Sequence, residues 1–472
     1  MKLSKYLGDK PFWQVTLWLA IPISLQNVLT CSFQLVDTLM VSQLGDVALA
    51  AVGMAGQWAL LANMLCFGVC SGMSVFVSQY WGIRDRKGIR RVLGIALLTG
   101  LLFSAIFTGL ALALPQWVIG LFNSDPQVVA VGSGYLRIAC LSYPAVMLTN
   151  IMATVLRNTE RVKSPLFVSL ITTVANAVVN YLLIFGSAAL GIAPMGAKGA
   201  AVATCISSWL GPVLLLAISL AQKNLLTGPV RELTAFGLQN LSKFFHRAAP
   251  AIFNEFAWGL GIMILNMVYS NIGHEQYAGW TIFNTVHNLG FSFYVGLGNA
   301  CVIMVGKSVG QGKIKRAVED SLRFSVLVPL FALVVGLVTI ALRYPLVELF
   351  SMGDNLSHVT LYTALAVIIF CSLEIPLRNI PYIQVVGVFR SGGDTMTGML
   401  YDLGSLWAIS IPLTLIAATV WKLPFLAVVI ISYLAEDIPK SIGCLLHYRS
   451  LRWLKPVTDE GKQGLALFKN SQ

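Results

Sequence analysis

The stretch SFQLVDTLMVSQLGDVALAAVGMAG, Ser32–Gly56, sets a carboxylate straight after the uncharged run FQLV. Asp37 and Asp46 are the only charged residues between Lys10 and Arg84. On a water-exposed surface Asp37 would need no reason. In hydrocarbon a charged side chain costs at least roughly 2.5–3.5 kcal/mol and marks an ion or substrate path. Composition identifies the solvent. The 472 residues are 57% hydrophobic and 11% charged, with a mean hydropathy of +0.77, against about 25% charged in soluble domains. A water-soluble fold is excluded.

Working outward, apolar stretches of the roughly 20 residues needed to cross a bilayer recur near 13–41, 47–79, 92–114, 128–156, 164–186, 197–221, 247–272, 276–305, 319–342, 357–389, 397–420 and 423–447. The chain is therefore expected to be an all-α integral membrane protein with twelve transmembrane helices. Its formal charge of +12 is distributed by side of the membrane. With the amino terminus inside, the inner segments hold Lys2, Lys5, Lys10, the cluster Arg84–Arg91, Arg157, Arg161, Lys163 and most later bases, while the outer segments hold Lys198, Arg343 and Lys422. This positive-inside bias places both termini in the cytoplasm and accounts for the charge without nucleic acid. The eight cysteines lie in apolar segments without a CxxC and read as packing residues. The first apolar run is too long for a cleavable signal core.

The chain also matches itself. Pro22 pairs with Pro250, Gly45 with Gly273 and Gly82 with Gly310, each 228 positions apart, whereas Arg157 in VLRNTERVKSP pairs with Arg390 in VFRSGGDTMTG at 233. A small insertion or deletion separates the last pair from the others. The reading is two six-helix lobes, 1–221 and 247–447, joined by a cytoplasmic linker at 222–246 and followed by a cytoplasmic tail at 448–472. Six is even, so the lobes enter the membrane the same way up, related by a pseudo-twofold axis along its normal. Two such bundles leave a midplane cleft that can open to either side.

Three helices of the first half bring oxygen-bearing side chains to similar depth: Asp37, then Asn176 and Asn180 one turn apart in TTVANAVVNYLLIFG, then Thr204 in MGAKGAAVATCISSW. A carboxylate with amide and hydroxyl oxygens suits Na⁺ or a shared proton. No other metal is expected. The amides alone could serve only as interhelical hydrogen bonds, but such bonds need no charge. The second half offers Glu255 just after Pro250, His287 beside Asn284 and Asn288, Glu374, Asn379 and Asp402 as substrate or second-site candidates. Glu374 and Arg378, four apart, are expected to neutralise each other; Glu436 and Asp437 are expected to pair with Lys440. Pro22 and Pro250 each remove a backbone hydrogen bond and are candidate bending points. The chain has no Walker loop, HExxH or GxSxG, so neither an enzyme nor a cofactor is expected.

Together the run VDTLMVSQLGDVALAAVG, the SQYWGIRD connection, YLRI at 135–138, the arginine turns LRNTERVKSP and FRSGGDT, the NAVVNYLLIFG helix and MGAKGAAVAT resemble the multidrug and toxic compound extrusion (MATE) family across nearly the whole chain. The resemblance implies export of small organic, often cationic and lipophilic, compounds in exchange for Na⁺ or H⁺, by a protein of the plasma membrane in contact with its lipids. A monomer is expected. By motif position Asp37 resembles the cation carboxylate of the amino lobe, with Asn176, Asn180 and Thr204 as companions, Pro22 its bending point and Glu255 the acid of helix 7. Many relatives have Asp at the place of Asn180, and those with a carboxy-lobe site have Asp at the place of Asn379. The alternative is a lipid-linked oligosaccharide flippase of the same superfamily, which would line its cleft with several cations; Arg137 and Arg378 are the two placed to do so.

Overall fold

The computed structural model describes residue 6 and residues 8–122, 125–187, 191–351 and 357–471; Lys2 and Lys5 lie outside them. Among the described residues, twelve long helices follow one another: α1 (Lys10–Ser42), α2 (Asp46–Gly82), α3 (Arg86–Ala113), α4 (Pro126–Asn158), α5 (Lys163–Phe185), α6 (Ala197–Gln222), α7 (Leu238–Ile272), α8 (His274–Gly310), α9 (Ile314–Ala341), α10 (His358–Gly392), α11 (Thr395–Thr419) and α12 (Phe425–Arg449). Among the described residues, eleven are long and apolar enough to cross a membrane. The remaining one, α12, is equally long at 25 residues but carries Glu436, Asp437 and Lys440. A further helix, α13 (Asp459–Asn470), follows in the tail. Local chemistry sets several starts. Asp85 caps α3 by accepting from the Gly88 amide at 2.9 Å, and Asp125 caps α4, whose first residue is Pro126, a position where the missing N–H costs nothing.

Helix boundaries repeat as the sequence does. α2 and α8 each have 37 residues, and α3 and α9 each have 28, with every start and end 228 positions apart. The offset becomes 232 at the starts of α4 and α10, because the connection 342–357 is longer than 114–125. It reaches 233 at Arg390, immediately after a π-helical stretch, Ile383–Phe389. A π turn holds one residue more than an α turn, so it absorbs the extra residue without breaking the helix.

The chain forms two compact units. One comprises Leu25–Val77 and Asp85–Ile252; the other comprises Met1–Ser24, Ser78–Arg84 and Phe253–Gln472. Thus α1 and α7 each change unit two residues beyond their proline, after Ser24 and Ile252. The first unit has a core around Trp58, Tyr135, Tyr143 and Ile184. There the amino half of α7 packs on α2: Phe244 stacks on Phe76 with ring centres 5.8 Å apart, and Gly68 and Gly72 lie so close to Ile252 and Ala248 that no Cβ would fit. Segment 230–233 is a short helix held to α3 by the Arg90–Glu232 ion pair at 2.6 Å.

The second unit repeats that crossing with the amino half of α1 on α8. Gly296 abuts Ala20 and Ser24, the Ser24 hydroxyl donates to the Phe293 carbonyl at 3.3 Å, and Phe12 meets Phe324 at 5.2 Å. Its core gathers Tyr269, Trp280, Phe283 and Phe425. The tail belongs here too. Trp453 is fully buried, the Lys455 amide donates to the Gly392 carbonyl at 2.8 Å, and Thr458 donates to the Gly310 carbonyl at 2.8 Å.

Candidate functional site

In the first unit the expected polar set converges. Asn176 and Asn180, one turn apart on α5, are both buried. The Asn180 amide donates to Asp37 Oδ1 at 2.7 Å and to Asn176 Oδ1 at 2.5 Å. Asn176 in turn donates to the Ser207 hydroxyl at 2.5 Å, and Ser207 donates to the Ala203 carbonyl at 2.8 Å. A hydrogen-bonded relay therefore crosses from α1 through α5 to α6. Among the described residues no Lys or Arg pairs with Asp37, and the buried Asn180 Oδ1 accepts no hydrogen bond. The Asn180 amide thus turns its nitrogen to Asp37 and Asn176 and leaves its oxygen open.

The Thr204 side chain stands outside the relay, although its carbonyl accepts from the Ser207 hydroxyl at 3.2 Å. It lies near Tyr135 of α4 and lines a cavity of about 150 Å³ together with Asn63, Phe107, Tyr143 and Met147. That volume admits water but is below the roughly 300–1,000 Å³ of a drug-sized pocket. Ser207 and Tyr135 are the residues that the sequence reading missed. Ser207 lies one turn beyond Thr204, a spacing that would have marked it, whereas Tyr135 meets the others only through the fold.

The second unit is organised differently, because most of its acids have basic partners. Glu255 pairs with Arg390 at 2.6 Å, which supplies a counter-ion for a carboxylate otherwise unexplained beside Pro250. Asp402 is held by Lys440 and by the Asn254 amide at 2.8 Å. Glu374 and Arg378 do not neutralise each other as expected. The Arg378 guanidinium turns across to α12, meeting Asp437 at 2.9 Å and Glu436 at 3.5 Å, and it rests on the Tyr433 ring. Asp437 therefore pairs with Arg378, and Glu436 with both Arg378 and Lys440, the latter at 3.5 Å. Both Glu374 oxygens accept nothing. Asn379 donates only to the Ile375 carbonyl of its own helix, at 2.9 Å, and His287 is packed between Phe283 and Phe291.

These features define a polytopic helical membrane protein built from a repeated six-helix plan, with polar relays inside the bilayer and no catalytic constellation among the described residues. The MatE family model matches residues 22–182 and 250–416, two stretches that begin at the paired prolines. The chain belongs to the MatE family. It is 23% identical over 450 residues to a probable multidrug resistance protein NorM of Thermotoga maritima, covering 93% of this chain and 92% of that one. An FAD transporter of Shewanella oneidensis is 24% identical over 74% of this chain and 77% of its own length. A solved Vibrio cholerae MATE transporter shares the fold with a TM-score of 0.82 at 18% identity, covering 94% of this chain and 100% of the other. The relatives are transporters, not enzymes.

Proposed function

We propose that the protein is an antiporter that exports small organic, preferentially cationic, compounds by alternating access, coupled to entry of Na⁺ or H⁺ at Asp37. The observation that carries this reading is the Asp37 carboxylate, which has an amide donor in Asn180 and no basic partner among the described residues. A carboxylate in hydrocarbon without a counter-ion is costly unless a mobile cation neutralises it. A cation or proton taken up at Asp37 acts on the carboxylate that accepts from the Asn180 amide, and Asn176 and Ser207 fix that amide in place. A cationic substrate and a coupling ion cannot share one negative charge, and this exclusivity makes exchange obligatory. Ion entry changes the hydrogen bonds along α1, and Pro22, which lacks a backbone donor, lets the helix bend there. The basic bias of the inner loops supports cytoplasmic termini in the plasma membrane, with the monomer as the working unit.

The flippase reading is not favoured. The relatives named above are multidrug and FAD transporters, and Arg378, one of its two candidate cleft cations, is engaged by Asp437 and Glu436. The test is ethidium efflux from proteoliposomes with Na⁺ and pH gradients imposed separately, and FAD included as a second cargo because of that relative. Asp37→Asn is expected to insert normally but to lose gradient-driven efflux. Wild-type efflux by Asp37→Asn would place coupling elsewhere.

A further inference from the structure

Helices α8 and α9 leave and re-enter the bilayer through the connection 311–313, and α13 of the tail is docked on that turn. The docking is close. Gly312 has φ +72°, a Cβ on Gly464 would stand 2.2 Å from the Gly312 carbonyl oxygen, and one on Gly461 would stand 2.7 Å from that of Val309. Beside this junction, within the second unit, lies a cavity of about 520 Å³. Lys313, Lys315 and Arg316 line it with one acid, Glu319, while Ile314 and Phe468 give it an apolar side. That size admits a molecule rather than a single ion.

Three bases against one acid leave positive charge unanswered. Arg316 leans on Asp320 at 3.6 Å, an acid that Arg323 already holds at 2.9 Å. Lys313 and Lys315 are exposed and have no acidic partner among the described residues. The tail helix does not supply one, since its Asp459 pairs with its own Lys462 at 2.8 Å. Nor is the cluster a copy made by the duplication. In the first half, 228 positions earlier, Asp85 stands at the place of Lys313, so an acid there is a base here.

We propose that this cavity binds the headgroup of an anionic phospholipid of the inner leaflet, with Lys313 and Lys315 taking the phosphate and Phe468 backing the glycerol. The level of the site selects a lipid over a soluble anion. Ile314 is the first residue of a membrane-spanning helix, so the lysines beside it stand where headgroups are, and bases at that level attract anionic lipid. The apolar side suits the glycerol end of a lipid and offers nothing to a free anion. A lipid held there touches both α9 and α13 and ties the tail to the membrane. Its placing in the inner leaflet rests on the cytoplasmic reading of the 306–318 loop; its binding does not.

The experiment reconstitutes the full chain in phosphatidylcholine vesicles containing phosphatidylglycerol with a photoactivatable headgroup, and maps cross-linked peptides by mass spectrometry. Labelling is expected to concentrate in the peptides carrying 312–319 and 464–469. It should fall by about tenfold or more in the double variant Lys313→Gln/Lys315→Gln and persist in Arg86→Gln/Lys87→Gln, which removes the same charge from the matching loop. Equal labelling by a photoactivatable phosphatidylcholine, unchanged labelling in Lys313→Gln/Lys315→Gln, or equal loss in both double variants would overturn the proposal. Displacement of the label by millimolar inorganic phosphate would make this a soluble-anion site and overturn it too. The vesicles carry the label in both leaflets and the measurement needs neither transport nor Asp37. Its failure would therefore leave both the topology and the coupling proposal standing, and the reverse holds.

Discussion

Asp37 and Asp394 are both enclosed acids with opposite surroundings. Asp394, fully buried at the turn before α11, accepts from Lys455 at 2.8 Å and from the Thr397 hydroxyl at 2.9 Å, and it meets His447 at 2.9 Å. Burial works against its charge, yet hydrogen bonds from Lys455, Thr397 and His447 outweigh it and hold the carboxyl below its ordinary value. A carboxyl lowered on folding contributes stability above its unfolded pKa of about 3.9, and that contribution disappears as pH falls through the lower folded value. Asp394→Asn should therefore cost about 2 kcal/mol at neutral pH, read as a lower apparent melting temperature in detergent, with the gap to wild type closing in acid below about pH 4. Equal melting at pH 7 would refute this role. At this scale the sequence was readable where chemistry and period coincide, as with Asn176 and Asn180 on one face of α5. It gave Arg378 the wrong partner, because the choice of Asp437 over Glu374 depends on how α12 is turned against α10.

Between elements, the repeat is spent on close crossings. In the second unit, where 78–84 meets α8, a Cβ on Gly82 would stand 2.4 Å from the Lys307 carbonyl oxygen, and one on Gly310 would stand 2.2 Å from that of Gln79. The two glycines, and the two residues they face, are repeat partners 228 apart, so the same contact is made twice. Membrane helices associate closely through such small residues, and backbone oxygens cannot move aside for a side chain. Gly310→Leu should lower stability by about 1–3 kcal/mol through overpacking, whereas Gly109→Ala, where nothing lies within 4 Å, should be nearly neutral. Thermal inactivation of efflux would compare them, and equal tolerance would show that the crossing yields. The matched glycines were visible in the sequence as landmarks of duplication. Their mutual contact was not, because periodicity gives a face and never its neighbour. Similarly, the offset of 233 at Arg390 announced an insertion or deletion, but only the π-helical stretch shows where one extra residue went.

At the scale of the whole chain, the class was legible because hydropathy and basic-residue bias are sums over many positions and survive errors at any one. The inner loops provide the corresponding test. In a background with the native cysteines replaced, single cysteines at 84–91 and 306–318 should react with impermeant maleimide only after the cells are opened; labelling of intact cells would reverse the topology. The division of the chain was harder to see, since α1 and α7 each change unit within one unbroken helix. That division also affects synthesis. Thr16, which donates to the Met304 sulfur at 3.5 Å, is 288 residues from it. At roughly 5–20 residues per second, about 15–60 s separate the birth of the amino half of α1 from that of the α8 surface it packs on. Through that interval an early segment waits in the bilayer for a surface not yet made. The pace of the ribosome thus sets how long the segment is open to wrong partners, and a pause engineered between α7 and α8 should lower the folded yield while leaving the stability of finished molecules unchanged.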